Sequence, residues 1–177
     1  MRVVVVPPVP ALLSRYASLT DPVPELRAAC VSAVAWLVEH DDARIVAADD
    51  QARRIGEELL AQGLAGRVAS ASERIETRIE TGNILVMANG SARRSEKAPG
   101  HLDERSFGFD SEVEAALAAG DAAALGGLDA RLGAELLASG IGALATLADL
   151  TVTRAVMDYA DDPFGVRYWV VRWECAS

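Results

Sequence analysis

Apolar residues follow different periods in different parts of the chain, and each period predicts an element. Residues 3–6 are consecutive valines, the pattern of a strand buried on both faces. Pro7, Pro8 and Pro10 end it, because proline removes a backbone donor and restricts the residue before it. Over residues 23–39 the period lengthens: Leu26, Cys30, Ala33 and Leu37 recur at intervals of three and four, while Glu25, Arg27 and Ser32 take other faces. That spacing predicts a helix. A short second strand is expected over 44–48, a second helix over 50–63 and a third strand over 67–70. The charged run 72–81, with Glu73, Arg74, Glu76, Arg78 and Glu80, fits either an exposed helix or an edge strand.

Residues 83–88 return to a buried strand, and a long polar stretch, 89–103, follows. Asp110 is expected to cap a helix ending near Gly120. Asp121 and Asp129 are further N-caps, since aspartate accepts bonds from the unpaired first amides of a helix. Leu132 and Leu136 mark one of the next helices, and Ile141, Leu144 and Leu147 the other. Residues 151–159 and 166–173 are rich in β-branched and aromatic residues, with Asp161-Asp162-Pro163-Phe164-Gly165 between them. They predict two antiparallel strands joined by a tight connection. Together these elements predict an α/β fold: a single three-layer domain over residues 1–177, with a mixed, mostly parallel central sheet and a C-terminal antiparallel hairpin. Trp169, Val171 and Trp173 share one face of the last strand. That face either packs under helices or, if open to solvent, is the contact of a homo-oligomer or another partner.

Composition narrows the function classes. The 177 residues suffice for one full core, and 51% hydrophobic with 24% charged residues is a globular balance. No apolar run approaches the roughly 18 residues of a membrane span. The opening stretch is too short for the core of a signal peptide, so a cytoplasmic protein is expected. A net charge of −9 argues against nucleic acid or an anionic membrane as the main partner. Cys30 and Cys175, far apart, suggest neither a disulfide framework nor a metal site; Cys30 is expected in the core and Cys175 at a frayed end.

In open α/β sheets, sites form outside the carboxyl ends of strands. Three segments qualify: 7–15, 49–54 and 89–103. The last concentrates Arg93, Arg94 and Lys97 within five residues of an acidic protein. Guanidinium groups grip carboxylates or phosphates bidentately, so a small anionic molecule is the ligand expected here. Asn89, Ser91, Arg93, Arg94, Lys97 and His101 are the candidate binding residues. The competing reading makes Arg93, Arg94, Glu96 and Lys97 a solvated or structural ion-pair cluster. Of the two histidines, His40 suits the negative end of the first helix dipole, and His101 reads as an exposed loop residue. Asp41-Asp42, Asp49-Asp50 and Asp161-Asp162 have the chemistry of hard-cation ligands, but paired loop aspartates more often form turns and caps.

Leu85-Val86-Met87-Ala88-Asn89-Gly90-Ser91-Ala92-Arg93, then Ala98-Pro99-Gly100, Asp103 and Phe109-Asp110, resembles the catalytic chains of the class III extradiol ring-cleavage dioxygenases, in the superfamily that includes the Memo-like proteins. The resemblance continues from Glu112 to Leu147 and into Asp162-Pro163-Phe164-Gly165-Val166-x-Tyr168, similar to the family's closing Pro-Phe-Gly-Val-Gly-Tyr. It covers the C-terminal half well and the first strand and helix loosely. The run from Gly90 to Gly100 is especially similar to a short actinobacterial branch of that family.

An active member, the resemblance implies, holds ferrous iron through two histidines and a glutamate, with a further histidine as acid or base beside the ring. By the motif register Ala92 stands at the acid–base histidine, and Asn89 replaces the aspartate before it. Pro7, Pro8, Val9 and Pro10 occupy the region of the first iron histidine, Asp49 and Asp50 that of the second, and Ala138 that of the glutamate. Methyl groups cannot ligate iron. A metal-free relative without cofactor or catalytic residues is therefore expected, binding a small molecule. Two alternatives are an enzyme of non-redox chemistry using Ser91 and Arg93 in the old cavity, and an interaction or scaffold protein acting as a homo-oligomer.

Overall fold

The valine run at the start of the chain forms the middle of the sheet. In the computed structural model, which describes residues 1–13, 21–65 and 82–176, it is strand β1 (Arg2–Val6), with all four valines buried. The strand expected over 67–70 and the charged run 72–81 lie outside the described residues. Chain order continues with α1 (Pro24–Leu37), β2 (Ala43–Val46), α2 (Asp50–Ala65) and β3 (Asn83–Met87). The helices α3 (Arg105–Ala119), α4 (Ala122–Gly126), α5 (Ala130–Glu135) and α6 (Ile141–Ala145) follow, and then the hairpin of β4 (Val152–Asp161) and β5 (Tyr168–Cys175).

The described strands form one five-stranded sheet in the order β2-β3-β1-β5-β4. β1, β2 and β3 are parallel, whereas β5 pairs antiparallel with both β1 and β4. The period-2 alternation of side chains sorts the core into two layers. Val4, Val6, Leu85, Met87 and Val170 face α1 and α2, and Val3, Val5, Ile84, Val86 and Val171 face α3 to α6. This is the expected three-layer α/β arrangement. Among the described residues, no helix is long and apolar enough to cross a membrane.

Two sequence expectations change, for Asp110 and Cys175, and the alternative left open for the tryptophan face is decided. Asp110 does not start a helix: α3 begins at Arg105, and Asp110 lies inside it, 1% exposed. The turn into that helix instead uses Asp103, whose backbone and carboxylate oxygens accept from Ser106 and Arg105 N–H. Cys175 is not frayed. It is buried in β5, and its N–H bonds Met1 O at 2.9 Å. Trp169 and Trp173 do not form an open face, because both are fully buried under the second helical layer. Trp173 Nε1 donates to Leu117 O at 2.8 Å, which satisfies the one polar atom of that side chain. The expected caps at Asp121 and Asp129 are present, each accepting the amide of the third residue onward. Burial also pushes the Cys30 thiol up to about 12, as suits a core residue.

Trp173→Ala is expected to lower unfolding free energy by about 3–5 kcal/mol in urea titration, the range for emptying a buried tryptophan site. Trp173→Phe, which keeps most of the volume, is expected to cost clearly less. Equal and small losses for both would contradict a core role.

Candidate functional site

The chain leaving β1 turns toward the α1 layer, and the chain leaving the adjacent β3 turns toward the α3 layer. Their divergence makes the carboxyl edge between β1 and β3 the switch point where open sheets form a crevice. Here it is closed by side chains. Val9, Ala92, Val166 and Tyr168 are each buried there within one apolar cluster.

The loop 89–103 is held by backbone bonds on two sides. Asn89 N–H donates to Ser139 O at 2.9 Å and Ala92 N–H to Leu136 O at 3.1 Å, which ties it to the segment after α5. Gly90 N–H donates to Arg167 O, Arg167 N–H to Ser91 O and Arg94 N–H to Gly165 O, which ties it to the β4–β5 connection. These approaches leave no room for side chains at two positions. A Cβ on Gly90 would lie 2.6 Å from the Asp110 carboxylate and 2.7 Å from the Trp169 ring. One on Gly140 would lie 2.2 Å from Met87 O, and Gly140 also has φ +78, open mainly to glycine.

The six candidate residues come to one loop but not to one cavity. Ser91 is completely buried: its hydroxyl donates to Leu136 O at 3.0 Å, and the same oxygen accepts from Arg93 N–H. Both of its bonds go to the main chain, and among the described residues no side-chain base is hydrogen-bonded to it. Arg94 bonds Asp162 through Nε at 2.6 Å and Asp110 through a terminal nitrogen at 3.1 Å, and its guanidinium lies over the Phe107 ring. Burial alone would lower its pKa, but the two carboxylates outweigh it and keep the group charged. Arg93 donates to Gly100 O at 2.7 Å, while its Nε is buried without a protein partner. Asn89 is nearly buried, donates to Gly90 O and leaves its Oδ1 without a partner. Lys97 and His101 are exposed.

Residues that the sequence did not flag hold this loop. Asp110 and Glu114 are one turn apart on α3, a spacing that puts both carboxylates on one face. Asp110 accepts from Ser91 N–H at 2.8 Å as well as from Arg94. Burial pushes its pKa up against the pull of these two donors. Glu114 accepts from the Arg167 guanidinium and from Trp169 Nε1. Burial would raise its pKa too, but the tryptophan and arginine bonds outweigh it and bring it below the ordinary value. The i, i+4 carboxylates were the available signal, obscured because Asp110 also fits a cap.

A cleft of ≈ 420 Å³ lies elsewhere along the carboxyl edge, between the end of β2 and helices α5 and α6. Val46, Ala48, Ala134, Ala138, Ile141 and Thr146 line it, and among the described residues no charged side chain reaches its wall. The other strand-end segment, 49–54, is the first turn of α2, where Asp49 caps by accepting Ala52 N–H at 2.8 Å.

Asp110→Ala is expected to cost about 3–5 kcal/mol in chemical denaturation, because it strands a buried amide and one face of Arg94. Asp162→Asn, at the exposed end of the same arginine, is expected to cost no more than about 1 kcal/mol. Gly140→Ala is expected to cost about 2–4 kcal/mol from left-handed strain plus overpacking. The depressed Glu114 pKa contributes stability that is present above its unfolded value near 4.5 and lost as pH falls through the folded value. The raised Asp110 pKa acts in the opposite sense, favouring the fold as pH falls. Glu114→Gln should therefore flatten the acid side of a stability-against-pH curve measured by denaturant titration.

Compared with known proteins, the chain matches no protein-family model and no curated protein sequence.

Proposed function

We propose that this chain is a small-molecule-binding relative of the class III extradiol dioxygenases that does not perform ring cleavage. The first support is the chemistry at the positions which the resemblance assigns to iron. A non-haem ferrous site uses two histidines and one carboxylate with open positions. Here those positions hold prolines at 7, 8 and 10, Asp49 and Asp50, and Ala138, and Asp49 already caps a helix. The two histidines lie at opposite ends of the sheet, His40 before β2 and His101 after β3. Among the described residues, no three histidine, cysteine, aspartate or glutamate side chains are grouped to hold an ion. These residues do not fit ferrous iron.

The observation that carries the binding reading is the cleft beside β2. Its ≈ 420 Å³ suits a small ligand. Ala138, at the position the resemblance gives to glutamate, is part of its wall. A lining of small apolar residues, with no charge among the described ones, favours a neutral, largely apolar molecule such as an aromatic ring compound. The anion reading of loop 89–103 has narrower support, since Arg94 is neutralised by two carboxylates. It rests on Arg93, whose buried Nε has no protein partner, and on Lys97 and His101, which are exposed on the same loop as Asn89 and Ser91. The reading extends to a cytoplasmic location, which two buried free thiols suit.

Two measurements test the proposal on purified protein. Elemental analysis is expected to find far less than one iron per chain, and stoichiometric iron would overturn the metal-free reading. Ligand-observed NMR with indole, benzoate and inorganic phosphate is expected to show indole binding that Ala134→Trp abolishes by filling the cleft. Benzoate or phosphate binding lost in Arg93→Gln, with no indole binding, would replace the cleft by the loop as the site.

A further inference from the structure

The sheet ends on β4, and no described strand lies outside it. At 10 residues it is the longest of the described strands, against 4 for the opposite edge strand β2. Backbone alternation decides which of its groups are open. Met1 and Cys175 exchange both main-chain bonds, at 2.9 and 3.3 Å, so odd-numbered residues of β5 face β1 and even-numbered ones face β4. Arg172 and Glu174 stand opposite Val156 and Arg154, whose N–H and C=O groups therefore point into the sheet. Those of Ala155 and Met157 point out of it. Register shifts between Val152 and Arg154 and between Met157 and Tyr159 bracket this regular run.

We propose that β4 is a self-pairing edge, through which two copies of the chain join antiparallel about a twofold axis at Val156. A twofold pairing that uses the outward groups of this run centres on Ala155, Val156 or Met157. Centred on Ala155 it sets Arg154 against Val156 of the partner subunit, and centred on Met157 it sets Arg154 against Ala160 of the partner subunit. Only the Val156 register brings Arg154 to Asp158 of the partner subunit, an opposite-charge pair across the strands, since Asp158 at the bulge and Arg154 both lie on the face of Arg172 and Glu174. In the same register Ala155 and Met157 of the partner subunit exchange both main-chain bonds, and the symmetry repeats the pair.

The side chains are suited to it. Arg154 is 70% exposed and reaches its own Glu174 only at 3.6 Å, so its guanidinium is loosely held. Asp158 accepts from Arg172 through both carboxylate oxygens, at 2.6 and 2.7 Å, and each oxygen keeps a lone pair for a second donor. Val156 and Met157 are half-buried and gain apolar cover. Charges and bulges on an edge strand repel indiscriminate pairing. On β4 the charges are self-complementary, so they reject foreign strands and slipped registers while admitting this one.

Sedimentation equilibrium over a concentration series tests the proposal, with circular dichroism and melting as controls for folding. A reversible monomer–dimer equilibrium is expected. Arg154→Asp and Asp158→Arg should each weaken it tenfold or more by opposing like charges, and the double variant should recover it. Hydrogen exchange at the Ala155 and Met157 amides should slow as the dimer forms. A chain that stays monomeric into the millimolar range would overturn the proposal. So would a dimer indifferent to both charge reversals, or one that leaves those amides unprotected because a different surface joins the copies.

Discussion

The buried carboxylate of Asp110 is the interaction on which the arrangement at the carboxyl end of the sheet depends. A charge that is 1% exposed is costly unless donors surround it, and Asp110 has the Ser91 amide and the Arg94 guanidinium. Through Arg94 the bond continues to Asp162, in the connection between β4 and β5. One turn further along α3, Glu114 reaches Arg167 in the same connection and Trp169 at the start of β5. A single helix face thereby joins the loop that leaves the parallel half of the sheet to the loop that enters its antiparallel half.

This joint decides what the basic loop can do. Arg94 is electrically satisfied, Ser91 is occupied by main-chain partners, and Ala92 fills the switch point together with Val9, Val166 and Tyr168. In the loop most like a polar active-site loop in sequence, the polar groups of Ser91 and Arg94 and one arm of Arg93 are paired within the protein. Open space is displaced toward β2, where small side chains on α5 and α6 leave a cleft without charged lining among the described residues. The close approach of Gly140 to the end of β3 is what brings α6 near enough to form its far wall.

The two edges of the sheet differ for a related reason. β2 is short, and the turn after it caps α2 through Asp49. β4 continues for ten residues, packed against α3 and α1 but with a free backbone edge among the described residues. The tryptophans that would have been the obvious oligomer surface are in the core, so any association must use other atoms.

Local pattern was enough to predict the α/β class, the valine strand, helices α1 and α2, the caps at Asp121 and Asp129 and the closing hairpin. Period and capping chemistry act over a few residues and need no knowledge of distant partners. The absence of histidine at the positions of the suggested iron site was likewise legible, because residue identity alone decides whether a lone pair exists. The partners of each charge were not legible. Asp110 satisfies the composition of a cap, and only α3 starting at Arg105 turns it inward toward Ser91 and Arg94. Whether Arg94 met solvent, a ligand or Asp162, 68 residues away in the chain, was decided by tertiary structure. The same holds for Trp169 and Trp173, whose alternation identifies a shared face but not what covers it. A sequence records which groups exist, and packing decides which of them remain free.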